Sequence, residues 1–244
     1  MSQINYCLER THLYESIANN LEAMIVSDTS QIGKKLPSEQ TLANNFGVSR
    51  NVIREALKIL KERQLVSLHT GEGAYIEKPS RDGVASILDR MIRMDHIDDD
   101  HVWAMRRMLE LEACRLMVKN GGIHACDELE KINLEMSQCA DDPERRQMLD
   151  VQFHNTIAKY SGNPLLAIFE ESIQSLLRSL IGIALLPSKG NEEGVKSHAE
   201  MIEVFRSGNV ERSMELMGRH IDESVNNYRL GKEIAGHKRE GGEK

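Results

Sequence analysis

Alternation of apolar and polar residues, the pattern of a half-buried strand, occurs at only two short places in this 244-residue chain, Leu65–His69 and Ala74–Ile76. Thr70-Gly-Glu-Gly73 lies between them and predicts a β-hairpin. So little strand signal excludes a large sheet, and elsewhere the apolar residues recur at helical spacing. The composition agrees: aromatic residues make up 4%, while Leu, Met, Ala and Glu are frequent. At 40% hydrophobic and 28% charged the chain fits a globular protein rather than a disordered one. Its length predicts two domains at ~100–200 residues each. No apolar run approaches the ~20 residues of a membrane helix, and Met1-Ser-Gln-Ile-Asn-Tyr6 has no signal-peptide core. Cys7, Cys114, Cys126 and Cys139 form no CxxC pair, so a reducing cytoplasm is expected.

Helix punctuation divides the chain. Tyr14–Ile25 carries Ile17, Leu21, Met24 and Ile25 near helical spacing, and a Gly-Lys-Lys-Leu-Pro break follows. Ser38 is placed to cap a short helix ending at Phe46, Gly47 to stop it in a left-handed turn, and Ser49 to cap a second helix over Arg50–Arg63. Residues 79–83 read as a linker. Beyond it helices are predicted over 84–95, 99–119, 123–140, 143–161, 163–186, 192–207 and 209–231. Ser-Gly-Asn occurs at 161–163 and again at 207–209, with Gly ending one helix and Asn capping the next. Residues 232–244 read as a disordered tail. The predicted fold class is mainly α, with a helix-turn-helix and small hairpin followed by an antiparallel helical bundle.

The net charge of −7 argues against nucleic acid until its distribution is considered. Residues 1–80 are neutral, and the deficit lies in 81–244. Between positions 47 and 63, Arg50, Arg54, Lys58, Lys61 and Arg63 face only Glu55 and Glu62. In this second helix Ile53, Leu57 and Leu60 form the inward stripe, and Arg50, Arg54, Lys58 and Lys61 form another. A recognition helix needs that division: early residues reach base edges and later ones neutralise phosphates. Arg50 and Arg54 have the chemistry for guanine and Asn51 for adenine. The same pattern also describes a solvated basic helix on a small helical domain.

The wording of these segments goes further. Leu36-Pro-Ser-Glu-Gln-Thr-Leu-Ala43, Phe46-Gly-Val-Ser-Arg50, Val52-Ile-Arg-Glu-Ala-Leu57 and Gly71-Glu-Gly73 closely resemble the winged-helix domain of the GntR family of bacterial transcription regulators. The resemblance spans residues 10–78. It implies that Ser49, Arg50, Asn51, Arg54, Thr70 and Gly71 contact DNA, with the hairpin as the wing and Lys58 on the same basic stripe. Gln40 departs from the pattern, because some members have a DNA-touching arginine there.

Further along, Asp150 and His154 are four residues apart on one helix face. His198 aligns with Ile202 and Phe205, and His220 sits beside Met217 and Ile221, which directs both inward. Three imidazoles and a carboxylate suit Zn²⁺, Ni²⁺ and similar ions; hydrogen-bonded core histidines are the alternative. Asp150-Val-Gln-Phe-His154, Ser161-Gly-Asn-Pro164, Ser197-His-Ala-Glu200 and Arg219-His-Ile221 resemble the all-helical FCD domain of the FadR-type branch, over residues 84–231. That resemblance implies a divalent metal (zinc first, nickel or manganese otherwise) on Asp150, His154, His198 and His220, completed by a small carboxylate effector. By the same likeness Arg106 grips the effector carboxylate. A surface ion pair with Glu110 is its alternative, and Arg178 is a second candidate. Met105, Met108, Met117, Met214 and Met217 read as core filling, and Cys114, Cys126 and Cys139 as buried structural thiols.

The expectation is therefore a metabolite-responsive DNA-binding repressor, a homodimer on a palindromic operator, released by its ligand. A metal-dependent hydrolase domain fused to a DNA-binding module is the alternative, although no motif such as HExxH supplies a general base.

Overall fold

The computed structural model describes residues 5–139, 141–185 and 190–240. It divides into two compact units between Ser80 and Arg81. The first contains α1 (Asn5–Ser27), a 3-10 turn (Thr29–Gln31), α2 (Glu39–Phe46), α3 (Arg50–Glu62), β1 (Val66–His69) and β2 (Gly73–Ile76). Ser38 caps α2 by accepting from the Thr41 amide at 3.1 Å. Gly47 stops it at φ 66°, a conformation that favours glycine. Ser49 occupies the N-cap of α3 without making the expected side-chain hydrogen bond.

The core of this unit gathers Ile17, Leu21 and Ile25 of α1, Leu42 and Ala43 of α2, and Ile53, Ala56, Leu57 and Leu60 of α3. Leu65, Val66, Ala74 and Ile76 close it from the hairpin side. Met24 does not join its α1 neighbours, being 64% exposed. The strands pair antiparallel in the register Val66↔Ile76 through His69↔Gly73. Gly71, at φ 79°, makes the connection possible, and both Thr70 and Gly71 are exposed at the tip. Residues 33–36, which read as a break, run along the free edge of β2. Lys35 bridges to Tyr75, and the Leu36 amide donates to the Ala74 carbonyl at 2.8 Å. Their backbone groups satisfy an edge that the two-stranded hairpin leaves open.

The second unit is helical throughout its described residues: α4 (Arg81–Met94), α5 (Asp99–Lys119), α6 (Ile123–Gln138), α7 (Pro143–Tyr160), α8 (Pro164–Ala184), α9 (Gly190–Ser207) and α10 (Val210–Glu240). Both Ser-Gly-Asn triplets act as punctuation. Gly162 and Gly208 take φ 76° and 72°, Asn163 accepts from the Leu165 and Leu166 amides, and Asn209 accepts from that of Arg212. Helix α4 begins inside the stretch that reads as a linker. Helix α10 continues through Glu240, where the sequence predicts a disordered tail; residues 241–244 lie outside the described ones. Tyr228 and Lys232 tie its later turns to Asp99 of α5, which carries the helix past residue 231.

One cluster of this unit joins α5, α6, α7, α9 and α10 around Met117, Leu129, Phe153, Met201 and Met217. Another joins α5, α8 and α10 around Trp103, Leu177 and Tyr228. Met105 and Met108, expected in the core, are 42% and 59% exposed. The inward face of α5 is the stripe Val102, Trp103, Arg106, Glu110, Ala113, Cys114 and Met117, which leaves those two methionines outside. Cys139 is only partly buried, whereas burial pushes the Cys114 thiol up to about 12 and makes it inert.

Helices α8 and α10 come close at Gly231, where an added Cβ would run into the Ile183 carbonyl oxygen. Gly194 has room, its nearest neighbour being Met136 Cε at 3.8 Å. Gly231→Ala is therefore expected to destabilise the protein by ~1–3 kcal/mol, with a matching fall in melting temperature, while Gly194→Ala has a much smaller effect.

Candidate functional site

Two regions concentrate the chemistry, one in each unit. In the first, the apolar face of α3 is fully engaged by the core, so its polar face is turned to solvent. Ser49, Arg50, Asn51, Arg54 and Lys58 are all exposed there, and Thr70 and Gly71 are exposed on the hairpin. The Arg50 and Arg54 side chains are 57% and 50% accessible, which leaves them free to engage a partner. Glu39 at the start of α2 gathers both, with Arg50 Nη2 at 3.4 Å and Arg54 Nη2 at 3.1 Å. The hydrogen bond from Arg54 holds the Glu39 carboxyl below its usual range. No motif points to this acid, although a carboxylate in the first turn of α2 is favoured by the helix dipole. Gln40 donates to Asn44 at 3.0 Å, and Lys58 pairs with Glu55 at 2.8 Å.

In the second unit three helices bring the four candidate ligands together. Asp150 and His154 come from α7, His198 from α9 and His220 from α10, all buried, with one ligand atom from each within 4.8 Å of the others. Nε2 of His154 and His220 are 3.3 Å apart, and Asp150 Oδ1 lies 3.7 Å from His198 Nε2 and 4.0 Å from His154 Nε2. The His198 ring stacks on Phe153, centroids 3.8 Å apart and planes within 3°. Neither of its nitrogens has a hydrogen-bond partner, although a buried polar atom left unpaired costs ~1–3 kcal/mol. Burial, reinforced by the neighbouring histidines, pushes His198 and His220 well below the ordinary imidazole range. The neutral imidazole is the form that binds metal. Three nitrogens and one oxygen in this arrangement are a donor set that fits a divalent ion of the Zn²⁺ type.

A polar network backs this quartet. Glu110 Oε2 contacts His154 Nδ1, while Glu110 Oε1 accepts from Arg106 Nε at 2.5 Å and from Gln174 Nε2 at 2.9 Å. Gln174 also donates to Glu170 at 2.7 Å. Burial raises the Glu110 carboxyl, but Arg106 and His154 overcome that and hold it low. Glu170 has no such cation beside it: burial, with the nearby Glu110 charge, pushes it up to about 8. Nothing in the sequence marks Glu170 or Gln174, which lie on a mostly apolar helix and find their partner 64 residues away in the case of Gln174.

Arg106 is paired with Glu110, yet 1% exposed rather than on the surface. Its guanidinium lies over Trp103 at 5.3 Å, and its Nη2 is unpartnered. It lines a cavity of about 30 Å³ together with Asp150, His220, Ser224 and Asn227. Arg178 is not brought there. It is exposed, beside Asp89 and Gln147 on another surface of α8, because the inward positions of that helix are Ile173, Leu177 and Ile181.

Glu170 provides a test of the network. Its folded-state carboxyl binds a proton more tightly than the unfolded one, so wild-type stability falls as pH rises from about 4.5 to about 8. Glu170→Gln keeps the shape and removes the charge. Urea unfolding should find the variant gaining on wild type between pH 5 and pH 8; parallel profiles would refute the raised carboxyl.

Comparison with known proteins follows the same division. Residues 13–76 match the family model described as bacterial regulatory proteins, gntR family, and residues 101–223 match the FCD domain. The chain is 30% identical over 237 residues to the HTH-type transcriptional repressor NanR of Salmonella newport (strain SL254), covering 92% of this chain and 89% of that protein. The NanR of Salmonella typhimurium (strain LT2) is also 30% identical, over 92% of this chain and 88% of its own. Among solved structures, Streptococcus agalactiae GntR superposes with a TM-score of 0.67 at 26% identity, over 89% of this chain and 100% of that one. A winged helix-turn-helix followed by a helical bundle, matched along nearly its whole length, places this chain in the GntR family of DNA-binding transcription regulators with a C-terminal FCD domain.

Proposed function

We propose that this protein is a cytoplasmic repressor that binds a palindromic operator as a homodimer, and that a small organic or sugar acid bound beside a divalent metal in its helical unit releases it. Repression is supported by the NanR relatives, which are named as repressors. Among the described residues no helix is long and apolar enough to cross a membrane. Members of this family are regulators rather than enzymes, which removes the hydrolase alternative.

The observation that carries the metabolite reading is one cavity holding both chemistries. Asp150 and His220, two of the four candidate ligands, line the same small space as Arg106, whose Nη2 has no partner. Asp150, His154, His198 and His220 would hold the ion, zinc first and nickel or manganese otherwise. When bound, it supplies positive charge and open coordination positions. Arg106 offers a fixed guanidinium to a carboxylate, and Ser224 and Asn227 offer hydrogen bonds to hydroxyl groups. At about 30 Å³ the space fits little more than a water. An organic acid therefore enters only as the lining moves apart, which links binding to a change of state.

At the DNA, Arg50, Arg54 and Asn51 read base edges, Lys58 and Lys61 neutralise phosphates, Ser49 contacts the backbone, and Thr70 with Gly71 carries the wing. The Glu39 carboxylate holds the two arginines in place before they exchange it for DNA.

Two experiments test this reading. Arg50→Ala should weaken operator binding by ~1–3 kcal/mol and random-sequence binding much less, whereas Lys61→Ala weakens both alike and flattens the salt dependence. Equal losses for Arg50→Ala would remove its base-reading role. His154→Ala/His220→Ala should strip the metal, read by elemental analysis of purified protein. Small carboxylic acids should raise the melting temperature of wild type only when the metal is present.

A further inference from the structure

We infer that Glu110 is the positioning residue of the metal centre, one buried carboxylate that fixes both the His154 ring and the Arg106 guanidinium. The inference rests on the metal-binding reading above and assigns a role to a residue outside the ligand set. Its basis is the geometry of α5. Residues 103, 106 and 110 share the face turned into the bundle, with the Arg106 guanidinium over the Trp103 ring and Glu110 one turn further on. Glu110 is 1% exposed, and its two oxygens divide the work. Oε2 meets Nδ1 of His154; Oε1 takes Nε of Arg106 and the amide of Gln174.

The imidazole is constrained by the chemistry of its partner. A carboxylate only accepts, so His154 must present Nδ1–H to it. That leaves Nε2 as the atom available to ligate, and Nε2 is the atom that lies near His220 and Asp150. One contact thus sets both the tautomer and the direction of a ligand coming from a different helix. His198 has no carboxylate against its Nδ1, and stacking on Phe153 fixes its plane. Within the quartet, His154 is the ring whose orientation depends on a charged partner.

The guanidinium follows the same logic. Arg106 Nε is occupied by Glu110, while Nη2 is unpartnered and the residue lines the cavity. Without Glu110 the guanidinium would lose the anchor that aims it. Gln174 holds the carboxylate from the opposite helix and is itself engaged with Glu170, so the position of Glu110 is determined from α5, α7 and α8 together.

The test uses full-length protein stripped of metal and titrated with Co²⁺ and Zn²⁺. Glu110→Gln should bind Co²⁺ roughly 10–100-fold more weakly than wild type and show an altered d–d absorption spectrum. Because that variant leaves Arg106 buried without its counter-ion, Arg106→Met/Glu110→Gln is measured beside it; it leaves no lone buried charge and should show the same loss. Glu170→Gln, which keeps every contact to His154, should bind as wild type does. An equal loss there would assign the effect to loosened packing and overturn the inference. Wild-type protein gives an independent readout: ¹⁵N-histidine spectra of the Zn²⁺ form should find His154 protonated on Nδ1 and ligating through Nε2. The opposite tautomer, or Glu110 variants with wild-type affinity and spectrum, overturns this inference alone. Wild type that takes up no metal overturns it together with the reading beneath it.

Discussion

The helical unit depends on keeping a cluster of polar groups satisfied out of water. Arg106, Glu110, Asp150, His154, Glu170, Gln174, His198 and His220 are all buried. Each would be expensive alone, and an unpaired buried ion costs several kcal/mol. Glu110 makes the group tolerable because Arg106 and Gln174 donate to its Oε1 while the His154 ring lies against its Oε2, side chains from three helices converging on one carboxylate. The network leaves several buried polar atoms without hydrogen-bond partners, among them both His198 nitrogens, His154 Nδ1, Glu110 Oε2 and Arg106 Nη2. Such atoms are rare in a bundle selected for stability alone. Their concentration around the four candidate ligands is the physical ground for reading a binding site.

The DNA-binding unit works on weaker forces. Glu39 holds Arg50 and Arg54 through exposed pairs, and such pairs contribute ~0–1 kcal/mol in water. Their value lies in order: two long side chains are already gathered over the start of α3 before a duplex arrives. If Arg50 and Arg54 meet base edges as proposed, exchange of one solvated carboxylate for those edges would be an even trade unless the edges match, so the arrangement would favour discrimination between sequences over raw attraction. Attraction to DNA comes from the phosphates, and in a chain of net charge −7 it would act through the basic stripe of α3.

Elements whose signal is local are legible in the amino-acid sequence. Ser38 and Gly47 bound α2, and both Ser-Gly-Asn triplets mark helix boundaries that the backbone follows. The clustering of the four candidate ligands is legible for a related reason: Asp150 and His154 share a helix face, while His198 and His220 sit on apolar stripes that point inward. Pairings across helices are not. Gln174 meets Glu110 from another helix, and the Arg106–Glu110 pair is visible as a spacing whose burial is not. Met105 and Met108 mislead because apolar residues flank the α5 stripe on both sides, and only the neighbours decide which face is in. The 33–36 segment carries no alternation at all; its bond to β2 arises from the need of an open edge.

Helix α8 joins these themes. Its inward positions pack Trp103 and Tyr228, its Gln174 reaches the Glu110 carboxylate behind the four candidate ligands, and its last turn lines the cavity. It is also the helix on which α4 packs, and α4 is the first element after the boundary at Ser80. A ligand too large for a space of about 30 Å³ must push α8 or its partners apart, and close-packed interiors answer such pressure by switching arrangement rather than stretching. Tight binding alone does nothing for regulation, because a ligand shifts an equilibrium only by its difference in affinity for the two states. A cavity this small would supply that difference for a ligand that fits only once its lining has moved apart.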